Sequence, residues 1–230
     1  MSRMKKLRRR VLHFRYRPIR VFCFHQVSDE FEPDTMKKCD WMQTDAFKQG
    51  ILALKKQYTL ISLPEVTRHL TKDRFRLKQY AALTFDDGWA SLKNVLPWLD
   101  KQQVPVTLFL NPCYMDGKHY REKDTEKYLT KEEIAHFTAR FKNLTVASHG
   151  WEHKTVSSLS DAEFRDDIEK SRQVLKDYSC SVAPYYAYPW GKHSSITDSI
   201  LREYGLVPVL MDGMKNYSDP YVIHRELLTE

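Results

Sequence analysis

From residue 21 to residue 210, short β-prone runs alternate with amphipathic helical stretches, which restricts the chain to a parallel α/β sheet. Seven strands are expected, at Val21–Phe24, Thr59–Ile61, Tyr80–Thr84, Val104–Leu110, Leu144–Ala147, Ala183–Tyr188 and Leu206–Leu210. Between them, Phe47, Ile51, Leu54 and Tyr58 share one helical face after Thr44, and Leu92, Val95, Leu96 and Leu99 mark another helix. Capping boxes at Ser62/Glu65, Thr130/Glu133 and Ser160/Glu163 open three more, and Ser195–Tyr204 gives the last. Residues 27–43 read as polar and irregular. No glycine-rich phosphate loop follows the first strand, so a dinucleotide fold is disfavoured. A barrel fits better. His25, Asp86, Asp87, His149 and Pro189-Trp190-Gly191 all stand where strands end, the face on which α/β barrels build active sites.

With 230 residues, 42% of them hydrophobic, the chain can bury a core of single-domain size. Its charge of +7 is unevenly placed: residues 1–20 hold nine of the 37 Lys and Arg and no acid. The rest holds 28 basic against 30 acidic residues, a net of −2. The expected division is therefore a basic arm over 1–18 and a barrel domain over 19–230. Within the arm, Met4, Leu7, Val11 and Phe14 recur at helical spacing among Arg and Lys. That pattern suits peripheral contact with anionic lipid; a solvated arm is the alternative. No nucleic-acid module accompanies the arm. The cysteines at 23, 39, 113 and 180 show no paired spacing, which points to free thiols and a cytoplasmic setting. No apolar run is long enough to span a membrane, and the basic N-terminus lacks the apolar segment of a signal peptide.

Adjacent carboxylates at the end of an extended strand point in different directions, so Asp86 and Asp87 can take separate tasks. His149 and His153 lie four residues apart, a spacing that lets both imidazoles converge on one cation. Asp87, His149 and His153 together make a two-His, one-carboxylate set with an open position, and Asp86 is left as a general base. Such a set serves catalytic zinc and also non-haem iron, so the residues alone leave the reaction open.

Thr84-Phe85-Asp86-Asp87-Gly88, His149-x-x-x-His153, Leu159-Ser160-Asp161 and Tyr186-Ala187-Tyr188-Pro189-Trp190-Gly191 resemble, in that order, the polysaccharide deacetylases, the family 4 carbohydrate esterases. The likeness covers most of residues 20–225. It implies an irregular (β/α)7 barrel with Asp86 as base and Asp87, His149 and His153 as ligands of one divalent ion, Zn2+ by preference. The implied reaction removes acetate from N-acetylhexosamine units of a glycan or glycoconjugate. Tyr188, Pro189 and Trp190 become candidates for sugar binding.

Two positions depart from the family pattern. Ala187 stands where many members carry an Arg that orients the base, so another group must do so. The usual C-terminal Leu-x-His is replaced by Ile223-His224 near the chain end. Phe22-Cys23-Phe24-His25 instead resembles the poly-N-acetylglucosamine deacetylase branch, whose barrel looks circularly permuted, and this makes His25 the expected acid with His224 as its rival. A different amide or ester deacylase on the same scaffold, or a non-catalytic carbohydrate-binding barrel, are the competing functions.

Overall fold

The structure, a computed structural model, describes residues 17–31, 40–72, 76–115, 127–178 and 182–228. The arm, with its stripe of Met4, Leu7, Val11 and Phe14, lies outside the described residues except for Arg17 and Pro18. The strands in chain order are β1 (Arg20–Phe24), β2 (Gln26–Ser28), β3 (Trp41–Gln43), β4 (Thr59–Leu60), β5 (Tyr80–Phe85), β6 (Val106–Leu110), β7 (Leu144–Ser148), β8 (Val182–Ala187), β9 (Val207–Met211) and β10 (Ile223–Leu227). β1 pairs in parallel with β10 on one side and β5 on the other. β1 and β5–β10 therefore close a seven-stranded parallel barrel in a single domain. β4 is a two-residue appendage on the start of β5, and β2 and β3 form a separate parallel ribbon.

The helices are α1 (Thr44–Gln57), α2 (Leu63–Lys72), α3 (Leu96–Lys101), α4 (Lys131–Arg140), α5 (Asp161–Tyr178) and α6 (Ser195–Glu203). Their starts follow from local chemistry. Thr130 Oγ1 accepts from the Glu133 N–H while the Glu133 carboxylate accepts from the Thr130 N–H, satisfying two of the free donors that begin α4. Ser160 and Glu163 do the same for α5, and Ser62 and Glu65 for α2. At α1 the cap is Gln43, whose Oε1 accepts from the N–H groups of Asp45 and Ala46.

Side chains alternate across the barrel wall. Phe22, Phe24, Leu83 and Phe85 face outward onto Phe47 and Ile51 of α1, in a layer continued by α3, α4 and α5. Phe24 meets Phe47 edge-on at 5.2 Å and stacks on Phe85 at 5.3 Å. Burying each such side chain contributes about 1.5–3 kcal/mol. Val21, Ala82, Phe109, Ala147, Val209 and Ile223 face inward, joined by Leu63, Val66 and Leu70 of α2. α2 thus closes the end where the strands begin, and Thr67 Oγ1 meets the Tyr185 hydroxyl there at 2.8 Å. The opposite end stays open.

Seven strands were expected and seven close the ring, but the membership differs. Thr59–Leu60 is not one of them, and β10, beyond the expected last strand at 206–210, is. β10 reads Ile-His-Arg-Glu-Leu, too polar to announce itself as a barrel strand. Its charges are paired in the fold: Arg225 inside the barrel with Asp86, and Glu226 with Arg20. Within the stretch expected to be irregular, β2 and β3 carry ordered backbone past the barrel mouth.

Candidate active site

A cavity of about 440 Å³ opens where the barrel strands end, and Asp86, Asp87, His149, His153, Arg225 and His25 all line it. Asp86 forms its floor, 2% exposed. Arg225, reaching across from β10, grips it with both arms: Nη1 donates to Oδ1 at 2.6 Å and Nη2 to Oδ2 at 2.8 Å. Nη1 also donates to Thr84 Oγ1, whose own hydroxyl donates to the Phe22 carbonyl, and the guanidinium lies over the Phe109 ring. Burial alone would raise the Asp86 pKa; the Arg225 charge overrides it and holds the carboxyl well below the usual range. Arg225 thus fixes the orientation of the Asp86 carboxylate, with Ala187 standing at the position where an Arg was expected to do so.

Directly after Asp86 the backbone turns left-handed at Asp87 (φ 69°) and Gly88 (φ 78°). A Cβ on Gly88 would fall 2.4 Å from Met115 Cε and 2.7 Å from Leu110 Cδ2, so a larger residue would have to push those side chains aside as well as hold a positive φ. The turn aims Asp87 at the two imidazoles. Its Oδ1 lies 3.3 Å from His153 Nε2 and 3.5 Å from His149 Nε2. Its Oδ2 accepts a hydrogen bond from the Trp89 indole at 3.0 Å.

The loop 149–153 presents both rings. The Ala187 carbonyl, 2.8 Å from His149 Nδ1, can only accept, so Nδ1 carries a proton and Nε2 is the nitrogen turned inward. His153, also left-handed at φ 54°, is pushed down to about pKa 4 by burial and by its His149 neighbour, and is neutral at working pH. Two imidazole nitrogens and a carboxylate oxygen, all within 4.8 Å of one another, thus face one point. A divalent cation fits this donor set.

The loop is braced from behind. Asp167 of α5 accepts from the Trp151 N–H at 2.8 Å and from the Tyr186 hydroxyl at 3.1 Å. Gly150 packs so closely on this pair that an added Cβ would sit 2.9 Å from the Tyr186 oxygen. Asn111 at the end of β6 donates to the His149 and Gly150 carbonyls.

Residues 74–209, more than half of the chain, match the family model of the polysaccharide deacetylases. The chain belongs to that family. Among solved structures, IcaB from Ammonifex degensii is 21% identical over 93% of this chain and 92% of its own, with a TM-score of 0.78. The deacetylase PplD from Streptococcus pyogenes, in complex with acetate, is 18% identical over 92% of each chain, also at 0.78. The deacetylase domain of BpsB from Bordetella bronchiseptica is 19% identical over 92% of this chain and 96% of its own, at 0.70. At these identities the likeness shows the fold. No curated protein matches the chain.

The matched segment of this deacetylase excludes both His25 and Arg225, which the first and last barrel strands bring to it. His25 continues the inward parity of Val21 and Cys23, and one of its nitrogens lies within 4.8 Å of an Asp86 oxygen. Its Nδ1 is 3.9 Å from Asp40 Oδ1, a carboxylate that the ribbon delivers to the cavity and that the sequence did not single out. His224 has the opposite parity to Arg225; it points away from the cavity and meets Asp212 Oδ2 at 2.7 Å. Trp190 is 58% exposed at the mouth, left-handed at φ 60°, with its ring edge-on to His153 at 4.9 Å. Pro189 is buried beside it. Tyr188 is also buried at the cavity wall, its hydroxyl donating to Asp198 at 2.8 Å.

Proposed function

We propose that this chain is a metal-dependent N-deacetylase acting on N-acetylhexosamine units, N-acetylglucosamine foremost, of a glycan or glycoconjugate. The observation that carries the reading is a single cavity in which an Arg-clamped carboxylate stands 3.8 Å from a His–His–Asp donor set. Asp87, His149 and His153 would hold the cation, and the nitrogen-rich set suits zinc, which acidifies water and polarises an amide carbonyl when bound. Asp86, ionised at any working pH and oriented by Arg225, accepts the proton of the attacking water. His25, with the Asp40 charge beside it, gives a proton to the departing amine as the C–N bond breaks and acetate leaves. The exposed Trp190 offers a face for the sugar ring.

The basic arm over 1–18 supports peripheral contact of the 19–230 domain with an anionic membrane surface. The buried free thiol of Cys23 accords with a cytoplasmic setting. Acetate release from N-acetylglucosamine oligomers, with and without chelator, tests the reaction. Chelator-sensitive release is expected; release that chelator does not touch would remove the metal from the mechanism.

A further inference from the structure

Gln26 follows His25 on β2 and lines the catalytic cavity, yet it is 4% exposed and its Oε1 is buried without a hydrogen-bond partner. Among the described residues, three other buried side-chain atoms share that state: His25 Nδ1, Asn111 Oδ1 and Arg225 Nε. Asn111 and Arg225 spend their remaining polar atoms on the metal loop and on Asp86. Gln26 spends none, since its side chain makes no hydrogen bond among the described residues. A buried amide oxygen left unpaired costs free energy that an apolar side chain of the same size would avoid.

The position is held by other means. The Gln26 N–H donates to the Asp40 carbonyl at 2.9 Å, and Gln26 pairs in register with Trp41 of β3. Val27, of opposite parity, is fully buried in the outer core, and its N–H donates to Ser91 Oγ. The backbone therefore fixes the amide against the cavity while the amide itself does nothing for the fold. We propose that the Gln26 side-chain amide recognises a ring hydroxyl of the hexosamine unit being deacetylated. A hydroxyl both gives and takes a hydrogen bond, so it matches an amide whose soft terminal torsion can turn either its oxygen or its N–H2 toward the ligand.

This rests on the deacetylase reading, and the test separates the two. Metal-loaded wild type and Gln26→Met are compared on an N-acetylglucosamine oligomer and on analogues that each lack one hydroxyl of the reacting unit. In Gln26→Met, which keeps the size, KM should rise about tenfold or more with kcat within about twofold and metal content unchanged. One deoxy analogue should cost wild type a similar factor and cost the variant nothing further. An unchanged KM, or penalties that multiply for every analogue, would overturn the proposal. Should the variant fail to fold, the wild-type series decides alone: no analogue costing tenfold refutes it. A wild type that releases no acetate from the parent oligomer refutes the deacetylase reading itself, before any variant is made.

Discussion

The floor of the cavity and the loop above it treat charge in opposite ways. At the floor, the buried Asp86 carboxylate is met by a bidentate guanidinium, which is itself held by Thr84 and stacked on Phe109. One residue further along, Asp87 receives a single indole hydrogen bond and otherwise faces the imidazoles of His149 and His153, with no Lys or Arg paired to it among the described residues. The protein neutralises one carboxylate with an arginine and leaves its neighbour without one. A left-handed turn sends the adjacent Asp residues to different surroundings, which under the proposed function separates base from ligand.

The largest effect should come from removing the base while sparing the ligands. Asp86→Asn should lower kcat by about 10²–10⁴-fold with metal content unchanged. Parallel loss of metal would mean that the two carboxylates are not separable. Next comes the clamp. Arg225→Met leaves a buried carboxylate unpaired and should cost about 3–5 kcal/mol of stability, read by denaturant unfolding. The pH dependence follows from the lowered Asp86 pKa. In wild type, its contribution to stability is complete above the unfolded value of ~3.9 and is lost only as pH falls through the lower folded value. Without Arg225, burial dominates and raises the pKa, so the acid limb of the kcat profile should move to higher pH. A wild-type acid limb in Arg225→Met would show that the clamp does not set the base. Smallest is the brace behind the loop: Asp167→Asn should weaken metal affinity by about 10–100-fold, measured by competition with a chelating dye, while leaving the acid limb in place.

The same contrast explains what sequence reveals. The candidate ligands and the candidate base belong to short local motifs, Asp86-Asp87-Gly88 and His149-x-x-x-His153. The helix starts at Ser62, Thr130 and Ser160 were equally legible, because a capping box satisfies its donors within four residues. Arg225 was not. Its partner is 139 residues away, and an arginine flanked by His224 and Glu226 reads as surface until the barrel closes around it. A signal did exist: Ile223, Arg225 and Leu227 alternate at strand period, with Ile223 facing the barrel core. Asp40 was hidden for a related reason, since only the β2–β3 ribbon brings it to His25. Which of His25 and His224 faces the cavity likewise depended on strand parity, which β10 supplies once it is recognised as a strand.

The most direct test of this account is the metal content of the purified protein beside that of His149→Ala, by elemental analysis after reconstitution with zinc and removal of excess ion. About one equivalent in wild type and essentially none in His149→Ala is the expected result. A wild type that takes up no metal, or a variant that retains it in full, would contradict the assignment of Asp87, His149 and His153 as one cation site.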